Sequence, residues 1–261
     1  MSRDGVNDMN WVAGIDGCRA GWVVVLVEHT AGVVRNHHIT LCPSFADVLA
    51  MHPKPTVIAV DIPIGLLDRP EPGGRECDRQ ARTLLSRRAS SIFSPPTRPM
   101  LKATRYDQVR SQGLSIQSFN ILPKIREVDR LMTPDLQRRV HEAHPELAFA
   151  ALAGTPMQYN KKTLEGREER RKVFESLFYG RGDKSPFTFP FEKRGKRKAS
   201  GNFYKYFPRS HVAPDDILDA CALAWTALCI SSGQANRVPD RQQIDRKGLR
   251  MEIWFPLVLV R

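Results

Sequence analysis

Two apolar segments flank a short turn in the stretch Trp11-Val-Ala-Gly-Ile-Asp-Gly-Cys-Arg-Ala-Gly-Trp-Val-Val-Val-Leu-Val27. The first segment ends at Asp16, and the second begins after Gly21. Both segments are rich in β-branched residues, which is typical of strands joined by a tight turn. The stretch therefore predicts a strand pair that delivers one carboxylate, Asp16, to the end of its first strand.

The strand pattern continues along the chain and predicts an α/β fold. The predicted strands cover residues 11–16, 21–28, 33–41, 56–61 and 138–144. The first three follow one another through short turns, so they form a meander. The fourth is apolar on both faces, which suits a central strand covered by helices, and it also ends on an acid, Asp61.

Helices are expected between and after these strands. The predicted helices cover residues 74–88, 104–112, 115–132, 146–153 and 214–230. In the last of these, Pro214 is tolerated in the first turn, and Asp215 and Asp216 complement the helix dipole. The rest of that helix is small and apolar on nearly every face, so we expect it to be buried.

The composition is that of a globular protein with a basic surface. The chain has 261 residues, of which 41% are hydrophobic and 26% charged, and no apolar run approaches the roughly 20 residues that cross a bilayer. Five scattered cysteines form no C-x-x-C pair, so we expect a reducing, cytoplasmic location without a zinc site. The net charge of +12 favours a polyanionic partner such as DNA or RNA, although a solvated basic surface would have the same charge.

Much of the positive charge lies in one stretch. Residues 160–210 contain 15 Lys and Arg against 6 Asp and Glu, interleaved with aromatic residues. This pattern favours contact with phosphates and stacked bases, and the alternative is a surface insertion whose aromatic rings pack on the core. We therefore predict a domain over 11–232 with a basic insertion at about 155–213, followed by a C-terminal tail over 233–261 that forms a closing strand or packs on a partner chain.

Acidic residues follow the central strands and open the last helix. Asp16 and Asp61 end strands, and further acids lie at Glu142, Glu146, Asp215, Asp216 and Asp219. Clustered carboxylates repel one another unless a cation neutralises them, and oxygen ligands suit Mg²⁺ or Mn²⁺. Two such ions would support in-line attack on a phosphodiester.

Several of these residues also have structural interpretations. Asp215 and Asp216 can cap the helix, and Asp61 can form a turn before Pro63. His144 is a hydrogen-bond partner or, alternatively, a ligand or proton carrier. Arg75, Asp78 and Arg82 share a helical face, so they form a salt-bridged surface or contact phosphate, and Lys124 is a similar open case.

Seven segments in order resemble the DUF429 family, whose members are predicted nucleases with a ribonuclease H-like fold. They are Gly14-Ile-Asp-Gly-Cys-Arg-Ala-Gly-Trp22, Asp61-Ile-Pro-Ile-Gly65, Arg75-Glu-Cys-Asp-Arg-Gln-Ala-Arg82, Ser90-Ser-Ile-Phe93, Pro123-Lys-Ile125, Glu142-Ala-His-Pro-Glu146 and Asp215-Asp-Ile-Leu-Asp-Ala220. The resemblance implies a mixed five-stranded sheet, with its first three strands antiparallel, flanked by helices.

The resemblance also implies metal-dependent nuclease chemistry. Its metal-binding acids would be Asp16, Asp61 and Asp216 or Asp219, with Glu142 completing the shell or orienting water and Glu146 as a further ligand. The candidate substrate-binding residues are Arg19, Arg75, Arg82, Lys124, His144, Lys161, Lys162, Arg194, Lys196 and Arg197. Two other hypotheses stay open: a nucleotide-dependent phosphotransferase or hydrolase of related fold, and a nucleic-acid-binding module without catalysis.

Overall fold

The computed structural model describes residues 10–179, 207–208 and 210–257, which form a five-stranded mixed sheet flanked by helices and a small second sheet. The strands are β1 (Asn10–Cys18), β2 (Gly21–Thr30), β3 (Val33–Cys42), β4 (Val57–Val60), β5 (Val140–Glu142), β6 (Ala235–Val238) and β7 (Ile253–Pro256). Residues 180–206 and 209, which belong to the predicted basic insertion at about 155–213, lie outside the described residues.

The main sheet has the strand order β3-β2-β1-β4-β5. Strands β1, β2 and β3 pair antiparallel, and β4 and β5 run parallel to β1. The predicted mixed five-stranded sheet with an antiparallel first half is therefore confirmed. Because β1 and β4 are parallel neighbours, the residues that follow them meet at the same edge of the sheet.

Helices cover both faces of this sheet. They are α1 (Phe45–Ala50), α2 (Glu76–Leu85), α3 (Asp107–Arg110), α4 (Ile116–Asn120), α5 (Leu122–Leu131), α6 (Pro145–Ala153), α7 (Leu164–Tyr179) and α8 (Pro214–Ser231). Alternate side chains of β1 and β2 point into two separate apolar cores. Strands with helices on both sides are apolar throughout for this reason.

Two of the predicted helices differ from the observed ones. The helix expected over 104–112 is a single turn, α3. The helix expected over 115–132 is divided at Ile121 into α4 and α5. Pro123 lies in the first turn of α5, and because a proline has no N–H it cannot continue the hydrogen-bond ladder from α4.

Helix α8 packs directly on β1 through a glycine. A Cβ atom on Gly14 would lie 1.9 Å from the backbone nitrogen of Ala224 and 2.2 Å from the carbonyl oxygen of Ala220. Only a residue without a side chain allows this approach of strand and helix. The contact fixes the height of α8 over the sheet and brings its first turns to the end of β1.

The C-terminal segment forms a separate sheet rather than a sixth strand of the main one. Strand β7 pairs antiparallel with β6, and Trp254 also forms an isolated bridge to Ala143 beyond β5. Met251, Ile253 and Phe255 are buried against α2 and α6 side chains. Among the described residues, no helix combines the length and apolar character needed to cross a membrane.

Candidate functional site

Asp16 lies in β1, two residues before the strand ends, and it is 8% exposed. Its Oδ1 atom accepts a hydrogen bond of 2.8 Å from the N–H of Gly17. Burial raises the pKa of Asp16 well above its ordinary value, and the nearby charges of Asp219 and Asp61 raise it further. The structure therefore brings acids from three separate elements into one electrostatic group.

Asp61 reaches this group because of the strand register. Ile15 of β1 is paired with Val60 of β4, so Asp16 and Asp61 are the next residues of two adjacent parallel strands. The N–H of Asp61 donates a 3.1 Å hydrogen bond to the carbonyl oxygen of Ile15. Asp61 is half-buried, and its charge acts on both Asp16 and Asp219.

Asp219 comes from α8, in the turn that the Gly14 contact holds against β1. It is fully buried, and within the described part of the chain its Oδ1 atom has no hydrogen-bond partner. Burial raises the pKa of Asp219 to about 7, and the charges of Asp61 and Glu146 act in the same direction. A buried carboxylate oxygen without a donor is costly and indicates a place for a cation or a water molecule.

Asp216 has a capping role and also belongs to the acidic group. Its Oδ2 atom accepts a 2.9 Å hydrogen bond from the N–H of Ala213, which caps α8. Burial raises the pKa of Asp216, and that hydrogen bond opposes the increase. Its charge contributes to the raised pKa of Asp16. We call Asp16, Asp61, Asp216 and Asp219 the acidic cluster.

Lys161 places a positive charge on the acidic cluster. Its Nζ atom forms an ion pair with Asp219, and its side chain is 33% exposed. Burial favours the neutral amine, but the charges of Asp219 and Asp16 outweigh it and raise the pKa of Lys161. The sequence pattern predicted that Lys161, like other basic residues of the stretch, binds a nucleic-acid backbone. In the structure its ammonium is paired with the carboxylate of Asp219.

Glu142 lies outside the acidic cluster and is engaged by a buried arginine. Arg75 donates to both of its carboxylate oxygens, at 2.7 and 2.5 Å, and also binds Asp78 at 2.7 Å. Arg75 is 1% exposed, so the expected salt-bridged surface is in fact part of the core and Arg75 is not accessible to a substrate. Glu142 also accepts a 2.7 Å hydrogen bond from the N–H of Ile64, which fixes the loop after Asp61.

Glu146 and His144 have structural partners as well. Glu146 is buried and forms an ion pair with Arg170 of α7, and its charge still reaches Asp219. His144 precedes α6 and its Nδ1 atom accepts a 3.2 Å hydrogen bond from the N–H of Glu146. The hydrogen-bonding alternative for His144 is therefore the one seen in the structure.

The remaining basic residues that were predicted to bind substrate include some with structural partners and some that are exposed. The amine of Lys124 donates to the carbonyl oxygen of Gly21 and lies 4.4 Å from the centre of the Trp22 ring. Arg82 donates to the carbonyl oxygen of Ile92, so it fixes a loop. The exposed candidates are Arg19, whose charge reaches Asp216, and Lys162. The candidates Arg194, Lys196 and Arg197 lie outside the described residues.

Sequence patterns did not reveal Arg170. It is fully buried, and its Nη1 atom donates to the carbonyl oxygens of Tyr159 and Gly166, at 3.2 and 2.8 Å. In the sequence it is one of many arginines in a basic stretch, and nothing in its spacing separates it from the exposed ones. Its role follows only from the packing of α7 against α6.

The acidic cluster has more negative than positive charge. Four ionised carboxylates would face the ammonium of Lys161, and all their donor atoms are the hard oxygens that Mg²⁺ and Mn²⁺ prefer. Within the residues that the structure describes, no three His, Cys, Asp or Glu side chains are already spaced to hold a metal ion. The unpartnered Oδ1 atom of Asp219 is the donor most available to an added cation.

Comparison with known protein families matches residues 14–244 to the model described as "Protein of unknown function (DUF429)". The chain belongs to the DUF429 family. No curated protein and no solved structure matches it. The DUF429 match includes every residue of the acidic cluster, and it extends beyond α8 into the segment that contains β6. The family resemblance expected from the seven sequence segments is confirmed.

Proposed function

We propose that this DUF429 protein has a ribonuclease H-like fold and is a divalent-metal-dependent nuclease that hydrolyses phosphodiester bonds in DNA or RNA. The acidic cluster would hold Mg²⁺ or Mn²⁺, and the basic stretch would bind the nucleic-acid backbone. The observation that carries the proposal is the convergence of Asp16, Asp61 and Asp219 from β1, the end of β4 and α8. The strand order and the antiparallel first half of the sheet support the same proposal.

The energetics of the acidic cluster favour a cation ligand. Keeping several carboxylates together in a buried site raises their pKa values and destabilises the ionised protein. A fold that needed these acids only as helix caps or turn formers would have no reason to bury Asp16 and Asp219 side by side. An added divalent cation would offset the repulsion and give the Oδ1 atom of Asp219 a partner.

The residues of this chain would have the following roles in the proposed reaction. Asp16, Asp61 and Asp219 hold the cation, and Asp216 supports them while it caps α8. A bound divalent cation supplies a Lewis acid that activates water and screens the charge on the phosphate. Glu142 and Arg75 keep the loop after Asp61 in place, and Arg19, which is exposed beside Asp216, is suited to contact a phosphate.

The test is cleavage of labelled single-stranded, duplex and branched DNA and RNA in Mg²⁺, Mn²⁺ or EDTA. We expect cleavage with metal and none in EDTA. Asp16→Asn removes one charge from the acidic cluster and should reduce cleavage at least about 100-fold. Loss of a residue that only orients a metal ligand usually reduces activity by about 10- to 100-fold, so the loss of a ligand should cost more. Circular dichroism should show the same fold in this variant.

Asp240→Asn is the matched control, because Asp240 is exposed and distant in sequence from the acidic cluster. Its activity should equal that of the unchanged protein. Metal-dependent cleavage that persists in Asp16→Asn would contradict the assignment. Binding to nucleic acid that weakens with salt, without cleavage of any substrate, would favour the binding-module hypothesis instead.

A further inference from the structure

The loop that carries Lys161 is held in place by Arg170, which is itself paired with Glu146. We call residues 158–166 the Lys161 loop; they comprise the last part of the connection between α6 and α7 and the first residues of α7. Arg170 of α7 binds the carbonyl oxygens of Tyr159 and Gly166, and the ion pair of Arg170 with Glu146 ties this arrangement to α6. Arg170 is fully buried, so these bonds are shielded from water. The base of the loop is therefore fixed to the helix that follows β5.

Further hydrogen bonds close the loop on itself. The carboxylate of Glu169 accepts from the N–H groups of Gln158 and Tyr159, at 2.7 and 3.0 Å. The side-chain oxygen of Asn160 accepts from the N–H of Lys162, and the carbonyl oxygen of Asn160 accepts from the hydroxyl of Thr163, both at 3.0 Å. Lys161 thus lies in a closed turn rather than in an extended surface segment.

A glycine at the end of the loop makes this turn possible. A Cβ atom on Gly166 would lie 1.9 Å from the carbonyl oxygen of Asn160, which immediately precedes Lys161. A side chain there would push the backbone of the loop away from the first turn of α7. The geometry of the loop therefore requires glycine at 166 and directs the lysine at 161 towards Asp219.

The ammonium of Lys161 lies against Asp219, the acid of the cluster that has a buried carboxylate oxygen without a partner among the described residues. The ammonium pairs with one oxygen of Asp219, while the other oxygen has no partner in the described residues. The charge of Lys161 also acts on Asp16 and Asp216. A third of its side chain is exposed, so the ammonium is reachable from solvent.

We propose that Lys161 is a built-in cation of the site, which replaces one of two metal ions, so that the acidic cluster binds a single divalent cation beside the Lys161 ammonium. This inference rests on the proposed function and changes its expected two-ion form. An ammonium and a divalent ion on opposite oxygens of Asp219 together neutralise three of the four carboxylate charges. A second divalent ion would exceed the one negative charge that remains and would leave the site, with its ammonium, net positive, so its binding is unfavourable. The exposed part of Lys161 would then face a phosphate oxygen of the substrate.

The test counts Mn²⁺ ions per chain by isothermal titration calorimetry and by electron paramagnetic resonance of free Mn²⁺. We expect one ion in the unchanged protein. Lys161→Met and Lys161→Gln remove the charge, so we expect the count to rise from one to two. Lys161→Arg keeps the charge and should still bind one. Lys162→Met is the matched control, because Lys162 is an exposed neighbour in the same loop, and it should also bind one ion.

Failure of this inference can be distinguished from failure of the proposed function. Two ions in the unchanged protein, or one ion with unchanged affinity in both neutral variants, would overturn the role of Lys161. If the same samples still cleave nucleic acid only with metal, the nuclease proposal stands without it. No Mn²⁺ in any of these proteins would overturn both proposals. A count of two in the unchanged protein overturns the inference without any variant, and if one neutral variant fails to fold, the other still provides the comparison.

Discussion

At the scale of single residues, the acids of this protein differ in whether a cation already compensates them. Glu142 and Glu146 are buried against arginines, Arg75 and Arg170. Asp16 is buried without an ion pair among the described residues, beside other acids. An arginine beside a buried carboxylate offsets part of the cost of burying its charge, whereas a buried carboxylate without a cation has no such compensation. Glu142 and Glu146 therefore have a structural role, whereas Asp16 is available to a ligand.

The Arg75–Glu142 pair should be important for stability. Arg75→Met leaves Glu142 and Asp78 buried without their cation, so we expect the free energy of unfolding to fall by about 3–5 kcal/mol. The double variant Arg75→Met/Glu142→Gln removes both charges and should recover part of that loss. Urea denaturation of both variants measures the effect. A single variant within about 1 kcal/mol of the unchanged protein would mean that the pair is not needed.

His141 should make the protein sensitive to acid. Burial lowers its pKa from 6.5 to about 4, and its ring lies edge-on to Trp254. The folded state therefore binds its proton less readily than the unfolded chain, and the stability that neutral His141 allows is lost as pH falls from about 6.5 towards 4. Between pH 7 and pH 5 we expect the titration of His141 by itself to lower the free energy of unfolding by about 2 kcal/mol.

The comparison that isolates this effect is His141→Phe, which keeps a ring against Trp254 but does not titrate. The variant should lose about 2 kcal/mol less than the unchanged protein over the same pH range. Asp16 and Asp219 act in the opposite direction in metal-free protein, because their raised pKa values favour the folded state at lower pH. Equal pH dependence of the two proteins in urea denaturation would refute the role of His141.

At the scale of elements, the contact of α8 with β1 assembles the acidic cluster. Gly14 lets the two backbones meet, and the strand register sets Asp61 beside Asp16. Asp219 lies one residue before Ala220, which touches Gly14, so its position follows from the same contact. A shift of α8 along the strand would therefore separate Asp219 from Asp16 before it disturbed either residue itself.

Gly14→Ala should be strongly destabilising. The new methyl group would overlap the backbone of α8, which cannot move without lifting the helix from the sheet, so we expect a loss of at least about 3 kcal/mol. Gly17→Ala is the matched control in the same strand, because its Cβ atom would meet only the flexible side chain of Lys124. Thermal unfolding followed by circular dichroism compares the two. Equal melting temperatures would show that α8 adjusts more easily than the contact implies.

At the scale of the whole molecule, the segment after α8 is integrated into the fold. Leu249, Met251, Ile253 and Phe255 are all buried, and Leu249 belongs to the core beneath the main sheet. Asp245 also forms an ion pair with Arg98. The predicted boundary at residue 232 thus falls between parts of the chain that pack together closely.

We therefore expect a chain that ends at Ser232 not to fold cooperatively. Burial of each of the four apolar side chains contributes about 2 kcal/mol. Their sum is comparable with a typical net stability of about 5–15 kcal/mol. A chain that ends at Leu257 retains all four residues and is the control. A sharp thermal transition in the shorter chain, within a few degrees of the control, would mean that 233–257 is a dispensable tail.

The sequence by itself determined the five strands of the main sheet, the meander order of the first three and the buried character of α8. These features depend on local alternation, glycine turns and continuous apolar runs, all of which are visible along the chain. The seven ordered segments likewise identified the family. The break between α4 and α5 was also encoded locally, by Pro123, although the periodic pattern of apolar residues ran across it.

Only the tertiary structure decided which charged residues meet. Glu142 and Asp16 look alike in sequence, since each is an acid of a predicted strand, but only Glu142 lies against a buried arginine 67 residues away. Lys161 and Lys162 are adjacent, and a turn closed by Gly166 and Arg170 sends one to Asp219 and the other to solvent. Charge pairing depends on distances between atoms that are remote in sequence, and no local pattern records those distances.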